Sequence, residues 1–261
     1  MGGLVVSRAS KTQGEPPVDA APSPEGELTV EIWRGGADGR FRTYRVPRRR
    51  NQTVLDAVTY VQRHIDPSLA YRFACRVGVC GSCAMTVNGA PRWTCRTRVE
   101  RVARRGRVRV APLRNLPIIR DLAVDMTPFF DKWARVKGRF VPSAAGTQGF
   151  AEVAPDSPER RAADAGVECI GCGICYAVCD VVAWNPDYVG PAALNRAWTL
   201  VNDVRDGDRA GHLAAAAAGA GCHACHSHQS CAEYCPTGLN PTASIAGLKR
   251  MAFVAALKGA P

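Results

Sequence analysis

The sequence predicts an α+β fold with a strand-rich first half and a helical second half. Apolar and polar residues alternate over 28–46, the pattern of a half-buried β-hairpin. Apolar residues at helical spacing follow over 53–65. Later in the chain, Thr127-Pro128 and Asn240-Pro241 are typical helix starts. With 261 residues, the chain is long enough for two modest domains.

The first 26 residues are expected to form a disordered tail, because they contain four prolines and no apolar periodicity. They also lack the apolar core of a signal peptide, so we expect the chain to stay in a reducing compartment. After the first hairpin, Thr53 and Asp56 form a capping-box pattern that starts a helix, and Pro67 ends it. We expect this helix to lie across the sheet.

The second half is expected to be a set of helices joined by loops. Residues 141–165 are rich in Ala, Pro and Gly, which indicates a surface loop. The expected helices cover about 127–136, 191–204, 212–220 and 241–257.

Cysteines 169, 172, 175 and 179 have the spacing C-x2-C-x2-C-x3-C, typical of bacterial iron–sulfur ferredoxins, in which the fourth thiolate reaches a second cluster. A later run repeats this spacing with one cysteine missing and ends in Cys235-Pro236. If the ligands cross as in two-cluster ferredoxins, one cluster is held by Cys169, Cys172, Cys175 and Cys235, and the other by Cys179, Cys225 and Cys231.

Zinc and disulfides are the alternatives for these cysteines. Zinc sites usually pair two separated C-x2-C motifs, whereas here four cysteines fall within eleven residues. Gly171 and Gly173 leave room for backbone amides to approach cluster sulfurs. The spacing therefore favours iron–sulfur clusters, and a reducing compartment disfavours disulfides.

An earlier motif has the C-x4-C-x2-C spacing of plant-type [2Fe–2S] ferredoxins. A hairpin turning at Asn88-Gly89 is expected to bring a fourth cysteine back to the loop. Gly78 and Gly81 allow the loop to wrap tightly around sulfur, and a zinc knuckle is the alternative. The predicted ligands are Cys75, Cys80, Cys83 and Cys95.

The third centre has three thiolates in register, because His228 stands where a complete ferredoxin run has its middle cysteine. Three thiolates match a [3Fe–4S] cluster, which we favour. Histidine ligates iron in Rieske centres, so His228 is an alternative fourth ligand, and Cys222 lies close enough in sequence to be another. In the favoured interpretation Cys222 is a buried free thiol.

The formal net charge is +11, which points to an acidic partner. Seven arginines over 96–109 form a dense cationic stretch, but no nucleic-acid recognition element accompanies them, so we favour a solvated face or an acidic protein partner over nucleic acid. No uninterrupted apolar run approaches the roughly 20 residues that span a bilayer. The sequence also lacks a phosphate loop and G-x-G-x-x-G after a strand.

The three cysteine motifs, together with the segments 117–126, 185–192 and 235–241, resemble the iron–sulfur subunit of succinate dehydrogenase and fumarate reductase over about residues 28–258. The resemblance implies an N-terminal β-grasp [2Fe–2S] ferredoxin domain, placed at 27–122. It also implies a C-terminal α-helical ferredoxin domain, placed at 123–261, with a [4Fe–4S] and a [3Fe–4S] centre.

The same resemblance implies electron transfer between FAD on a flavoprotein subunit and quinone at one or more membrane-anchor subunits. Dicarboxylate chemistry would then belong to the flavoprotein, and this chain would be peripheral on the cytoplasmic face of the membrane. The expected quinone-side residues are Trp184, His226, His228 and Lys249. Without the resemblance, Trp184 reads equally as core packing and Lys249 as a solvated lysine. Asp180 departs from the family, which usually has proline there.

The sequence is also compatible with two other classes of protein. One is a subunit of a different iron–sulfur flavoenzyme, or a soluble electron carrier, which needs no quinone-side residues. The other is a zinc-containing nucleic-acid binder, which only the positive charge supports.

Overall fold

The computed structural model of the protein describes residues 26–143 and 153–259. The expected disordered tail, apart from Gly26, lies outside the described residues, as does part of the expected loop at 141–165.

The first half is built on a mixed five-stranded sheet. Its strands are β1 (Glu27–Arg34), β2 (Arg40–Pro47), β3 (Ala84–Val87), β4 (Ala90–Trp93) and β5 (Arg107–Ala111), in the order β2-β1-β5-β3-β4. β1 and β2 form the expected antiparallel hairpin, and β3 and β4 form the second one. β5 runs parallel to β1 between the two hairpins. This is the β-grasp arrangement that the resemblance implied.

Helix α1 (Val54–Tyr60) covers one face of the sheet, and its buried side chains pack with those of β1. Its start is the predicted capping box: the Asp56 N–H donates to Thr53 Oγ1 at 3.1 Å, and the Thr53 N–H donates to the Asp56 carboxylate at 3.0 Å. The helix continues as a π-helical turn, Val61–Ile65, a detail that apolar spacing does not distinguish. A single-turn helix α2 (Val99–Val102) precedes β5.

A buried ionic network closes the end of the sheet domain. The Asp121 carboxylate accepts hydrogen bonds from the N–H groups of Gly35 at 2.7 Å and Ala70 at 2.8 Å, and pairs with the Arg34 guanidinium at 3.0 Å. Arg34 also contacts Asp66 and Tyr44. Burial opposes ionisation of Asp121, but the N–H donors and Arg34 outweigh it and hold the pKa of this carboxyl below its usual value.

Next to this network lies the small ribbon of β6 (Ile118–Arg120) and β7 (Ala123–Val124), after which the chain becomes helical. The helices are α3 (Thr127–Arg135), α4 (Pro158–Val167), α5 (Ile174–Ala177), α6 (Asp180–Trp184), α7 (Pro191–Asn202), α8 (Arg209–Ala217), α9 (Ser230–Glu233) and α10 (Pro241–Leu257). In the described part of the chain, every helix is too short or too polar to cross a membrane.

The expected surface loop at 141–165 is wrong in its last part, where α4 begins. The Ser157 hydroxyl accepts a hydrogen bond from the Arg160 N–H at 3.1 Å and caps this helix. α4 then packs closely on α7: a Cβ on Gly166 would lie 2.6 Å from Thr199 Oγ1, and Trp198 donates to the Ala162 carbonyl at 2.8 Å. The helix expected over 191–204 ends at Asn202.

We predict that Asp121→Asn destabilises the folded chain by about 3 kcal/mol, because it removes the more deeply buried of the two carboxylates that pair with the buried Arg34 cation. A lower thermal unfolding midpoint measures this loss. The folded-state pKa of Asp121 is depressed, so its contribution is present above the ordinary carboxyl pKa and is lost as pH falls through the folded-state value.

The matched control is Glu27→Gln, which makes the same chemical change in the exposed Arg45–Glu27 pair. Its effect should stay below about 1 kcal/mol. Equal shifts in the two variants would contradict the importance of the buried network.

Candidate functional site

The first thiol group consists of Cys75, Cys80 and Cys83, in the loop that precedes β3, and of Cys95, which follows β4. The Cys75 N–H donates to Cys80 Sγ, and the Cys95 N–H donates to Cys83 Sγ, each at 3.5 Å. The β3–β4 hairpin returns Cys95 to the loop, where Thr94 donates to the Cys83 carbonyl at 3.2 Å. The structure therefore brings together the three cysteines of the C-x4-C-x2-C motif and their expected fourth partner, Cys95.

The two sides of this loop have different electrostatic environments. The backbone N–H groups of Val79 and Val77 donate to Cys75 Sγ at 3.4 Å and lower the pKa of this thiol to about 6. Burial raises the pKa of Cys95 to about 12. N–H donors of this kind stabilise a thiolate and the anionic sulfurs of a cluster.

The second thiol group lines a cavity between the start of α5 and the loop before α10. Its cysteines come from two segments about sixty residues apart, and burial raises the pKa of Cys172 to about 12. Buried thiols of this kind ionise when metal cations replace their protons. The lining cysteines are Cys169, Cys172, Cys175 and Cys235.

The third thiol group lines a separate cavity. Its cysteines are Cys179, Cys225 and Cys231. The Ser227 N–H lies 3.4 Å from Cys225 Sγ, and the Thr242 hydroxyl lies 3.2 Å from Cys231 Sγ. Both are polar neighbours of the kind that tune a cluster sulfur.

The two alternative ligands of the third centre are in different places. His228 is exposed and lines the third cavity. Cys222 is fully buried in the helical core. Among the described residues, no three His, Cys, Asp or Glu side chains converge as ligands of one metal ion do. The thiols stand around cavities instead, an arrangement that fits clusters of several irons.

The expected quinone-side residues lie together beside the third cavity. Trp184 is 66% exposed at the end of α6, so it is not a core residue. Its ring lies 5.9 Å from the His228 ring, which stacks 6.0 Å from the His226 ring. Lys249 is half-buried, and its ammonium donates to the Cys225 carbonyl at 2.7 Å. The group joins an exposed aromatic surface to a cation near the cavity.

Asn115 is a positioning residue that no motif in the sequence indicates. Its side-chain amide donates to the carbonyls of Tyr176 at 3.0 Å, Cys179 at 3.1 Å and Ala177 at 3.3 Å. One amide of the first half thereby holds the end of α5 and the carbonyl of Cys179, a residue that lines the third cavity. No local pattern around Asn115 signals this contact, because its acceptors lie more than sixty residues away.

Positive charge is concentrated in the first half of the chain. Residues 27–122 contain 20 arginines, no lysine and seven acidic residues. Arg34, Arg45, Arg76, Arg109, Arg114 and Arg120 form ion pairs. The first half therefore carries the excess charge of the protein.

Comparisons with known proteins agree with this organisation. Residues 29–131 match the model of a 2Fe-2S iron-sulfur cluster binding domain, and residues 168–240 match that of a 4Fe-4S dicluster domain. The fumarate reductase iron–sulfur subunit of Mycobacterium tuberculosis is 38% identical, covering 84% of this chain and 88% of that protein. The succinate dehydrogenase iron–sulfur subunit of Paracoccus denitrificans is 33% identical, covering 88% and 91%.

A chain of the Mycobacterium smegmatis Sdh1 complex in the apo form shares the fold, with a TM-score of 0.78 and 28% identity over 90% of this chain and 98% of that one. A β-grasp domain joined to a helical dicluster domain defines a two-module iron–sulfur protein of the ferredoxin type. The chain belongs to the family of iron–sulfur subunits of succinate dehydrogenase and fumarate reductase.

We predict that Asn115→Ala weakens iron retention in the helical half, because the carbonyls of Ala177 and Cys179 lose the donor that Asn115 supplies and Tyr176 keeps only backbone donors. The folded helical half should lose about 1–3 kcal/mol of stability. The number of iron atoms per chain after gel filtration measures the iron that is retained. The control Asn88→Ala removes two side-chain hydrogen bonds within the sheet domain, one donated to the Val102 carbonyl and one accepted from the Arg109 N–H, and should leave the iron of the helical half in place. Similar iron loss in both variants would contradict the assigned role of Asn115.

Proposed function

We propose that this chain relays single electrons between FAD on a flavoprotein subunit and quinone at membrane-anchor subunits, as part of a succinate:quinone oxidoreductase. The observation that carries the proposal is the serial arrangement of the three thiol groups. The first loop contacts the second at Gly81 and Cys172. Cys175 of α5 lines the second cavity, and Cys179, two residues after α5, lines the third.

We assign one cluster to each thiol group. A [2Fe–2S] cluster is assigned to Cys75, Cys80, Cys83 and Cys95, a [4Fe–4S] cluster to Cys169, Cys172, Cys175 and Cys235, and a [3Fe–4S] cluster to Cys179, Cys225 and Cys231. Bound clusters supply one-electron chemistry, which divides the electron pair of a flavin. The protein supplies the thiolates, the N–H donors around them and their spacing. The associated domain division is 27–122 and 123–261.

Chemistry on the dicarboxylate is assigned to the flavoprotein. The sequence has no phosphate loop and no dinucleotide-binding fingerprint. The cationic surface of residues 27–122 suits an acidic surface of a protein partner. Peripheral attachment to the cytoplasmic face of the membrane completes the proposed assembly.

At the other end of the chain of clusters, Trp184, His226, His228 and Lys249 are assigned to the quinone side. Their support is the exposed aromatic group beside the third cavity and the half-buried Lys249 ammonium. An indole N–H and cationic donors stabilise charge that develops on a quinone oxygen.

Purification of the tagged chain from membranes of its own organism tests the proposal. A flavin-containing subunit and a membrane-spanning subunit should co-purify, and succinate should bleach the iron–sulfur absorbance. A chain that elutes alone, without flavin, would instead support a soluble electron carrier. A colourless zinc protein would contradict the cluster assignments.

We predict that the air-oxidised complex gives a paramagnetic signal from the third centre, because a [3Fe–4S] cluster is paramagnetic when oxidised. An oxidised [4Fe–4S]²⁺ centre is silent, so the signal distinguishes the two cluster types. His228→Ala and Cys222→Ser should retain this signal, since three thiolates suffice in the assignment. An oxidised sample that is silent despite full iron content would show a fourth ligand. The variant in which the oxidised sample then gained a [3Fe–4S] signal would identify that ligand as His228 or Cys222.

We predict that Trp184→Ala and Lys249→Ala each lower the rate of quinone reduction by between about tenfold and 100-fold. Loss of a buried oxyanion donor costs roughly 100-fold, and a smaller effect is expected here because Trp184 is largely exposed. Succinate-driven reduction of a dye that accepts electrons at the flavin should be unchanged. The exposed neighbour Arg250, replaced by Ala, is the control. Equal loss with quinone and dye would count against the assignment.

A further inference from the structure

The loops of the first and second thiol groups touch at Gly81. This residue directly follows Cys80, is buried and has φ +71°. A Cβ placed on Gly81 would lie 2.7 Å from Cys172 Cβ, 2.8 Å from Cys172 Cα and 3.1 Å from the Ile170 carbonyl oxygen. The contact therefore joins the neighbour of one predicted ligand to another predicted ligand.

This position needs glycine for a reason beyond the wrapping of its own loop. Ordinary contacts of a Cβ lie at 3.4–4 Å, so any side chain at Gly81 would push the two loops apart. Gly78 differs, because its Cβ would meet Arg96 and Trp93 of the same domain. Among the described glycines of the thiol-bearing loops, Gly81 alone faces a cysteine of another thiol group.

We propose that Gly81 is a positioning residue that sets the separation of the first and second clusters and hence the rate of electron transfer between them. This inference rests on the proposed electron relay. Electron transfer through protein slows exponentially with distance, and a through-space gap slows it more than the same length of covalent chain. Direct contact at Gly81 makes the through-space step between the two loops as short as packing permits.

Three variants separate contact from backbone strain. Gly81→Ala adds the Cβ and imposes strain at positive φ. Gly81→Asn adds a Cβ with less strain, because Asn tolerates the left-handed region better than Ala. The control Gly106→Ala imposes the same strain without the contact, since Gly106 has φ +70° and nothing within 4 Å of its Cβ position.

The measurement is paramagnetic resonance of the intact complex after chemical reduction. In the unchanged protein, the nearby reduced [4Fe–4S] cluster should speed spin relaxation of the [2Fe–2S] cluster. Both Gly81 variants should retain a full [2Fe–2S] signal that saturates at lower microwave power. Rapid-freeze experiments with succinate should show slower electron arrival at the second and third clusters. Gly106→Ala should match the unchanged protein in both measurements.

This role for Gly81 would be overturned if the [2Fe–2S] signal of both Gly81 variants saturated at the same microwave power as that of the unchanged protein. It would also be overturned if electrons reached the second and third clusters at the same rate in the variants and in the unchanged protein. Loss of the [2Fe–2S] signal itself in both variants would also overturn it, because Gly81 would then serve to hold its own cluster. Absence of the two cluster signals from the unchanged protein would instead mean that the proposed electron relay has failed.

Discussion

The folded arrangement depends on cysteines from distant segments meeting around shared cavities. Cys235 joins the group at 169–175, whereas Cys179, which follows that group directly, joins Cys225 and Cys231. Neither cavity can form from one segment of chain alone. α5, which carries Cys175, packs directly on α9, which carries Cys231, and this contact joins the two segments.

The sheet domain contributes more than a separate centre. Its Asn115 amide holds the end of α5 from one side, and its Gly81 contacts Cys172. The core of the helical half also includes Leu113 and Leu116, which follow β5. Because polar and apolar contacts both cross between the halves, the cysteine-bearing loops have a defined relative position.

Local patterns in the sequence were sufficient for the two hairpins, the capping box at Thr53 and the full extent of α10. The thiols that line one cavity are those that the cysteine spacing groups together, and their assignment as cluster ligands stays a prediction. α4 was missed because an Ala- and Gly-rich composition resembles a loop, and its close packing on α7 is a tertiary effect. The roles of Asn115 and of the Gly81 contact have the same origin: both depend on residues far away in sequence.

The absence of lysine from residues 27–122 has a consequence for the surface of the sheet domain. A guanidinium keeps its proton throughout the physiological pH range, and it is less strongly hydrated than an ammonium. The field of this surface is therefore fixed: it cannot be reduced by lysine acetylation or by moderate alkalinity. Weak hydration also lowers the cost of removing water, so this surface is suited to a permanent, partly dry interface.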